Sequence, residues 1–181
     1  MRRLTHLFRM SYNDRMAASG SRYVVSATAV LTAPPHRVYE TIANYHTGHP
    51  RILPKAFSGL VVERGGIGDG TVIRFQMAIL GRTQSLRAEI TEPEPGHMLV
   101  ETYVDGNDAV TTFVVDTGAH EGESVVTIKT EMTARRGLSG VVERFLAKRA
   151  LMRVYAEELR LLEGVASGPP GTAVSTSTPG L

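Results

Sequence analysis

Ala33-Pro34-Pro35-His36-Arg37-Val38-Tyr39-Glu40-Thr41-Ile42-Ala43-Asn44 is the stretch on which the fold turns. Upstream, Tyr23 to Leu31 alternates, with Val25, Ala27, Ala29 and Leu31 on one face and Ser26 and Thr28 on the other, the period of a half-buried strand. Pro34 and Pro35 stop that strand and suit the first turn of a helix, where no backbone N–H is required. Val38, Ile42 and Tyr45 then recur at helical spacing, so a short helix is expected to end near Asn44. Thr47-Gly48-His49-Pro50 breaks it, and a second helical turn is expected before Pro54.

Downstream the pattern becomes that of strands joined by short links. Phe57 to Arg64, Thr71 to Leu80, Thr83 to Glu92, Met98 to Val104, Ala109 to Asp116 and Ser124 to Thr133 are the candidates. The links are Gly65 to Gly70, Gly81-Arg82, Pro93 to Gly96, Asp105-Gly106-Asn107 and Gly118 to Gly122. Links this short imply antiparallel neighbours. The last element, from about Ser139 to Glu163, is a helix of about seven turns with no internal Pro, and Gly164 stands where a C-cap glycine would. At about 100° per residue, Leu138, Val141, Phe145, Met152, Ala156 and Leu159 share one stripe, and Arg149 falls inside it. The expected fold class is α+β: a seven-stranded antiparallel sheet wrapped round a long C-terminal helix, with two short helices between strands 1 and 2. One helix cannot fill a broad curved sheet, so an apolar hollow is expected between them.

Composition sets limits on function. The chain has 181 residues, 42% hydrophobic and 21% charged, enough for one domain with a sizeable core. Cysteine is absent, which excludes disulfides, thiol nucleophiles and thiolate metal sites. The net charge is +2, but Arg2, Arg3, Arg9 and Arg15 against Asp14 give the first twenty residues +3, leaving −1 for the rest. A nucleic-acid partner is therefore not expected, since the domain itself carries no excess of basic residues. No apolar run approaches the roughly 20 residues needed to cross a bilayer, and the N-terminus lacks a secretory core, so integral membrane association is not expected and a cytoplasmic location is. Residues 1–21 are expected to be a disordered arm, 22–163 the folded domain, and 164–181 a disordered tail poor in groups able to form a core.

The order and spacing of several motifs point further. These are Ala33-Pro34-Pro35-X-X-Val38-Tyr39, Pro50-Arg51-Ile52-Leu53-Pro54, Gly68-Asp69-Gly70-Thr71, Glu92-Pro93-Glu94-Pro95-Gly96-His97-Met98-Leu99, and the closing helix. Over about residues 22–163 the chain resembles the helix-grip fold of the Bet v 1-like proteins, also called the START or SRPBCC superfamily. Within it the branch most similar is that of the polyketide cyclase/dehydrase-like and coenzyme Q-binding proteins. The resemblance implies a small-molecule cavity bordered by the middle of the long helix, with the loop after the first helix near its mouth. Members bind lipids, quinones, polyketides and hormones, and some are enzymes, so function does not follow from the fold alone.

Candidate cavity residues follow from strand alternation and from that implied placement, alternation alone leaving the inward face of Met98 to Val104 unassigned. Phe75 and Met77, Glu101 and Tyr103, Phe113, and Ile128 and Met132 come from the strands; Phe145, Arg149, Met152 and Tyr155 come from the helix. Core packing is the alternative for each apolar one. His46, His49 and Ile52 are the candidate mouth residues. If Arg149 points into the hollow, an anionic ligand or Glu101 is its natural partner; otherwise its stem covers apolar surface and its head reaches water. His46 and His49 have no third ligand nearby in sequence, so no metal is expected, and no cofactor either. No nucleophile–base pair is legible, and catalytic residues stay unassigned. The expected function is binding or transport of a hydrophobic small molecule. The alternatives are a polyketide cyclase/dehydrase-type enzyme, with Tyr103, Arg149 or His49 as acid–base groups, and a protein-interaction module whose cavity is closed.

Overall fold

The computed structural model describes residues 21–105, 108–134 and 138–168. Strand β1 (Ser21–Leu31) leads into α1 (Pro35–Ala43) and α2 (His49–Ile52). Six strands follow: β2 (Phe57–Arg64), β3 (Val72–Ile79), β4 (Arg82–Glu94), β5 (Met98–Tyr103), β6 (Val110–Thr117) and β7 (Ser124–Ala134). Helix α3 (Leu138–Ala166) closes the domain. The sheet order is β1-β7-β6-β5-β4-β3-β2, every pair antiparallel, and α3 packs against β1, β7 and both short helices. This is the expected helix-grip arrangement. The sequence-predicted arm and tail fall almost wholly outside the described residues.

Local chemistry accounts for the elements. Pro34 caps α1 and its carbonyl accepts hydrogen bonds from the Arg37 and Val38 amides. The turn after α1 is organised by Asn44, whose side-chain oxygen takes the His46 and Thr47 amides at 3.0 Å each, an arrangement Asn favours. Tyr45 N–H then donates to the Gly66 carbonyl and Gly68 N–H to that of Ala43, so the glycine-rich β2–β3 hairpin loop is pinned to the α1–α2 turn.

Two boundaries differ from expectation. Strand β4 runs through Pro93 to Glu94, with a register irregularity between Thr91 and Glu94; a bulge is where a strand tolerates proline. Helix α3 continues past Gly164 to Ala166, because Leu162 and Ala166 are both buried and their packing carries the helix onward.

The inward faces of the strands meet α3 in one core that includes Val25, Leu99, Phe113, Ile128, Leu159 and Leu162. Gly48 is held close to this framework. A Cβ there would lie 2.3 Å from the Thr41 carbonyl oxygen, a backbone atom that cannot swing aside. Gly48→Ala is expected to cost about 1–3 kcal/mol, as other overpacking changes do. Urea denaturation of the variant checks this; a loss below about 0.5 kcal/mol would mean the turn adjusts freely.

Candidate functional site

Strand register builds a polar row on the inner face of the sheet. Glu101 of β5 pairs with Thr111 of β6, and Thr111 pairs with Thr130 of β7, so three polar side chains stand side by side. Thr111 and Thr130 share a hydrogen bond at 2.7 Å, and Thr130 shares a shorter one with the Tyr155 hydroxyl of α3. The Glu101 carboxylate accepts from the Tyr45 hydroxyl at 2.7 Å and from that of Tyr103 at 3.5 Å, the long limit of such a bond. Glu101 is 5% exposed and Glu158, on α3, only 3%.

Above this row lies a cavity of about 230 Å³, partly open to solvent, between the sheet and α3. Phe57, Met77, Ile79, Leu86, Met132 and Leu151 form its apolar wall. Tyr103, Thr111, Thr130, Tyr155 and Glu158 form its polar end, and the exposed Gln84 and Thr133 stand at its rim. The space is concave and largely apolar, with a few convergent polar groups, features common in small-molecule sites.

Burial governs the protonation of these groups. It raises the phenols of Tyr45 and Tyr103, with the Glu101 charge adding to it, and raises that of Tyr155 too, so all three stay neutral hydrogen-bond donors. Glu158 is raised well above the ordinary carboxyl value, by burial first and by the Glu101 charge second. His49 is lowered by burial despite the neighbouring Glu101. Its Nδ1 lies 2.8 Å from the Ile42 carbonyl, which can only accept, so Nδ1 carries the hydrogen. While His49 is neutral, the 3.8 Å approach of Nε2 to Glu101 is not an ion pair.

The structure sorts the sequence candidates. Met77, Tyr103, Met132 and Tyr155 line the cavity. Phe75 lies behind its wall, edge-on to Phe57 at 5.7 Å and to Tyr103 at 6.1 Å. Phe113 and Ile128 are buried core, and Glu101 sits beneath the polar end. His49 and Ile52 are buried in the interior rather than at a mouth: His49 stacks on Tyr45 at 4.3 Å and meets Phe113 edge-on. His46 is exposed and turned to the Gly65 carbonyl. Among the described residues no cluster of three or more His, Asp or Glu side chains is arranged to hold a metal ion.

The helix candidates require correction. Phe145, Arg149 and Met152 are exposed, on the outer side of α3. The inward stripe is Leu151, Val154, Tyr155, Glu158, Leu159 and Leu162. The stripe expected from the sequence, through Phe145, Arg149, Met152 and Ala156, lies one position, about 100°, away from the inward one. Arg149 therefore meets no ligand in the hollow and no Glu101. Leu138 and Val141 lie where side chains are not described. Sequence reasoning missed Tyr23, Thr111, Thr130 and Glu158. Thr111 and Thr130 carried a signal, since both are polar residues on the apolar phase of an alternating strand.

A curved antiparallel sheet gripping a long helix, with a lined hollow between them, defines the helix-grip fold. The chain belongs to the family described as polyketide cyclase / dehydrase and lipid transport, matched over residues 22–166, within the SRPBCC superfamily. It is similar to the solution structure of KanY protein (ms6282), with 30% identity, 82% of this chain and 99% of that chain covered, and a TM-score of 0.71. The fold is also that of the Zhui aromatase/cyclase from Streptomyces sp. R1128, at 14% identity, TM-score 0.67, with 81% of this chain and 94% of that one covered. Norcoclaurine synthase from Thalictrum flavum, solved in complex with dopamine and hydroxybenzaldehyde, shares it at 16% identity and TM-score 0.62, over 91% and 96% of the two chains. No curated protein sequence matches the chain. No helix among the described residues is long and apolar enough to cross a membrane.

Proposed function

We propose that the protein binds a compact hydrophobic small molecule in the cavity between its sheet and α3. The observation that carries this is a solvent-connected space of about 230 Å³ with an apolar wall and a single polar end. An interaction module would have that space filled by its own side chains. The volume falls below the roughly 300 Å³ at the lower end of drug-sized sites, which favours a ligand of one or two rings over a multi-ring polyketide or a diacyl lipid. The family description, which names both cyclases and lipid transport, supports a hydrophobic cargo.

Methionine methyl resonances test the reading directly. Met77 and Met132 line the cavity, whereas Met152 stands 38% exposed on the far side of α3. Titration with naphthylethanol is expected to shift the Met77 and Met132 methyl signals and leave that of Met152 in place. Movement of Met152 alone would place binding on the surface and overturn the proposal.

A second reading, acid–base catalysis in the same cavity, is favoured by one feature: Glu158, a carboxyl kept protonated, beside the neutral hydroxyls of Tyr103 and Tyr155. Such a group can donate a proton to a developing oxyanion and recover it. Consumption of a bound compound by the wild type, lost in Glu158→Gln with binding retained, distinguishes the enzyme from the carrier.

A further inference from the structure

Resting on the cavity as a ligand site, we infer that its occupant is a hydrophobic amine, the ammonium seated at Glu158 and the hydrocarbon against Met77, Leu86 and Met132. The argument begins with charge. Two carboxyl groups, each 5% exposed or less, sit at one end of the cavity. Among the described residues, no lysine or arginine lines that space; Lys148, Arg149 and Arg153 are all exposed on the other side of α3. Among the described residues this pair of acids has no cation beside it, and the negative charge it carries is costly unless something offsets it.

The two acids are not equivalent. Glu101 already has hydrogen-bond donors, Tyr45 on one oxygen and Tyr103 on the other. Glu158 receives none from the described residues, yet its side chain lines the cavity directly. The groups around it are Glu101 and Tyr103 from β5, Tyr45 from the α1–α2 turn, Tyr155 from its own helix and, 3.8 Å from Glu101, His49 of α2, while Tyr23 of β1 lines the same cavity. Apart from His49, which burial favours in its neutral form, each of these is an acid or a phenol. An anionic ligand would meet like charge here, and a neutral alcohol would gain a hydrogen bond but leave the Glu101 charge without a counter-ion. An ammonium supplies what is missing, and a cation's three donors match Glu158 together with the Thr130 and Tyr155 hydroxyls.

Ammonium binding then carries a proton signature. Burial and the Glu101 charge hold a proton on Glu158 in the empty cavity. The arriving cation takes that proton's place, so binding releases protons and tightens as pH rises, up to the point where the amine itself deprotonates.

The experiment is calorimetric titration of the full chain with three compounds of one skeleton: naphthylethylamine, naphthylethanol and naphthylacetic acid. At about pH 8 the amine is expected to bind at least about tenfold more tightly than the alcohol, the acid least of all. Amine binding is expected to release protons, read from the difference in heat between phosphate and Tris buffers, while alcohol binding releases none. In Glu158→Gln, whose fold is verified by circular dichroism, amine and alcohol are expected to bind within about twofold of each other. The inference is overturned if the wild type binds amine no better than alcohol, if it prefers the acid, or if the amine preference survives Glu158→Gln. The proton release is measured on the wild type and so stands even if the variant fails to fold. Alcohol binding without amine preference sinks only the choice of ligand; no binding by any of the three sinks the cavity reading with it.

Discussion

Glu158 is expected to make folding stability fall as pH rises from about 4.5, and Glu158→Gln to remove that contribution. The folded-state proton affinity of Glu158 is raised above its ordinary value of 4.5, by burial and then by the Glu101 charge. A raised value means that its stabilising contribution is complete below the unfolded value and is lost as pH climbs through the folded one. His49 behaves oppositely. Its affinity is lowered from 6.5 by burial, so its contribution is complete above 6.5 and is lost as pH falls through the folded value. The two slopes have opposite signs, and that of His49 is confined to pH below about 6.5. His97, raised by Asp116 and Glu94, adds a slope of the same sign, but it is exposed and is suppressed by salt.

Each tenfold gap in proton affinity between folded and unfolded states converts to about 1.4 kcal/mol, so urea denaturation at intervals across this range reads the effect directly. Glu158→Leu is expected to stabilise the protein by about 1–3 kcal/mol near pH 8, since an apolar side chain carries no desolvation penalty there. A wild-type slope reproduced unchanged in Glu158→Gln would show that Glu158 titrates as an ordinary surface carboxyl.

The same residue explains how far the sequence could be read. Alternation in the strands, the Pro34-Pro35 helix start and the short links defined a seven-stranded antiparallel sheet with a closing helix, because each rests on local backbone chemistry. Strand positions of the cavity were legible for that reason: Met77, Tyr103 and Met132 follow from period-two alternation once one inward residue is known. The helix was not. Its inward stripe contains Glu158 between Tyr155 and Leu162, and hydrophobicity alone steers a stripe away from a carboxylate. Phe145 and Met152, apolar yet exposed, drew it further round. A buried carboxyl breaks the amphipathic pattern of the helix there. His49 misled in the mirror sense: a histidine in a Pro- and Gly-rich loop reads as exposed, and only tertiary stacking on Tyr45 buries it.

Ala147→Phe is expected to abolish ligand binding while leaving the fold intact. Ala147 lines the cavity from α3, one turn before Leu151, so a benzyl group there is directed into open space rather than into packed core. Filling a void avoids the strain of overpacking, and the helix-propensity change is about 0.5 kcal/mol, so stability is expected to move by less than about 1 kcal/mol in either direction. The ligand, in contrast, loses the volume it occupies. Affinity for naphthylethanol is expected to fall by at least about thirtyfold, equivalent to roughly 2 kcal/mol.

The comparison that gives this its force is Met152→Ala, on the same helix but on its outer side, where affinity is expected to stay within about twofold. The two substitutions stand for two rotations of α3 about its axis. If Met152→Ala abolishes binding and Ala147→Phe does not, the outer surface that carries Phe145 and Arg149 is where the ligand sits. If the reverse holds, the ligand meets Leu151, Tyr155 and Glu158, and the carboxyl-lined end of the cavity determines what it recognises.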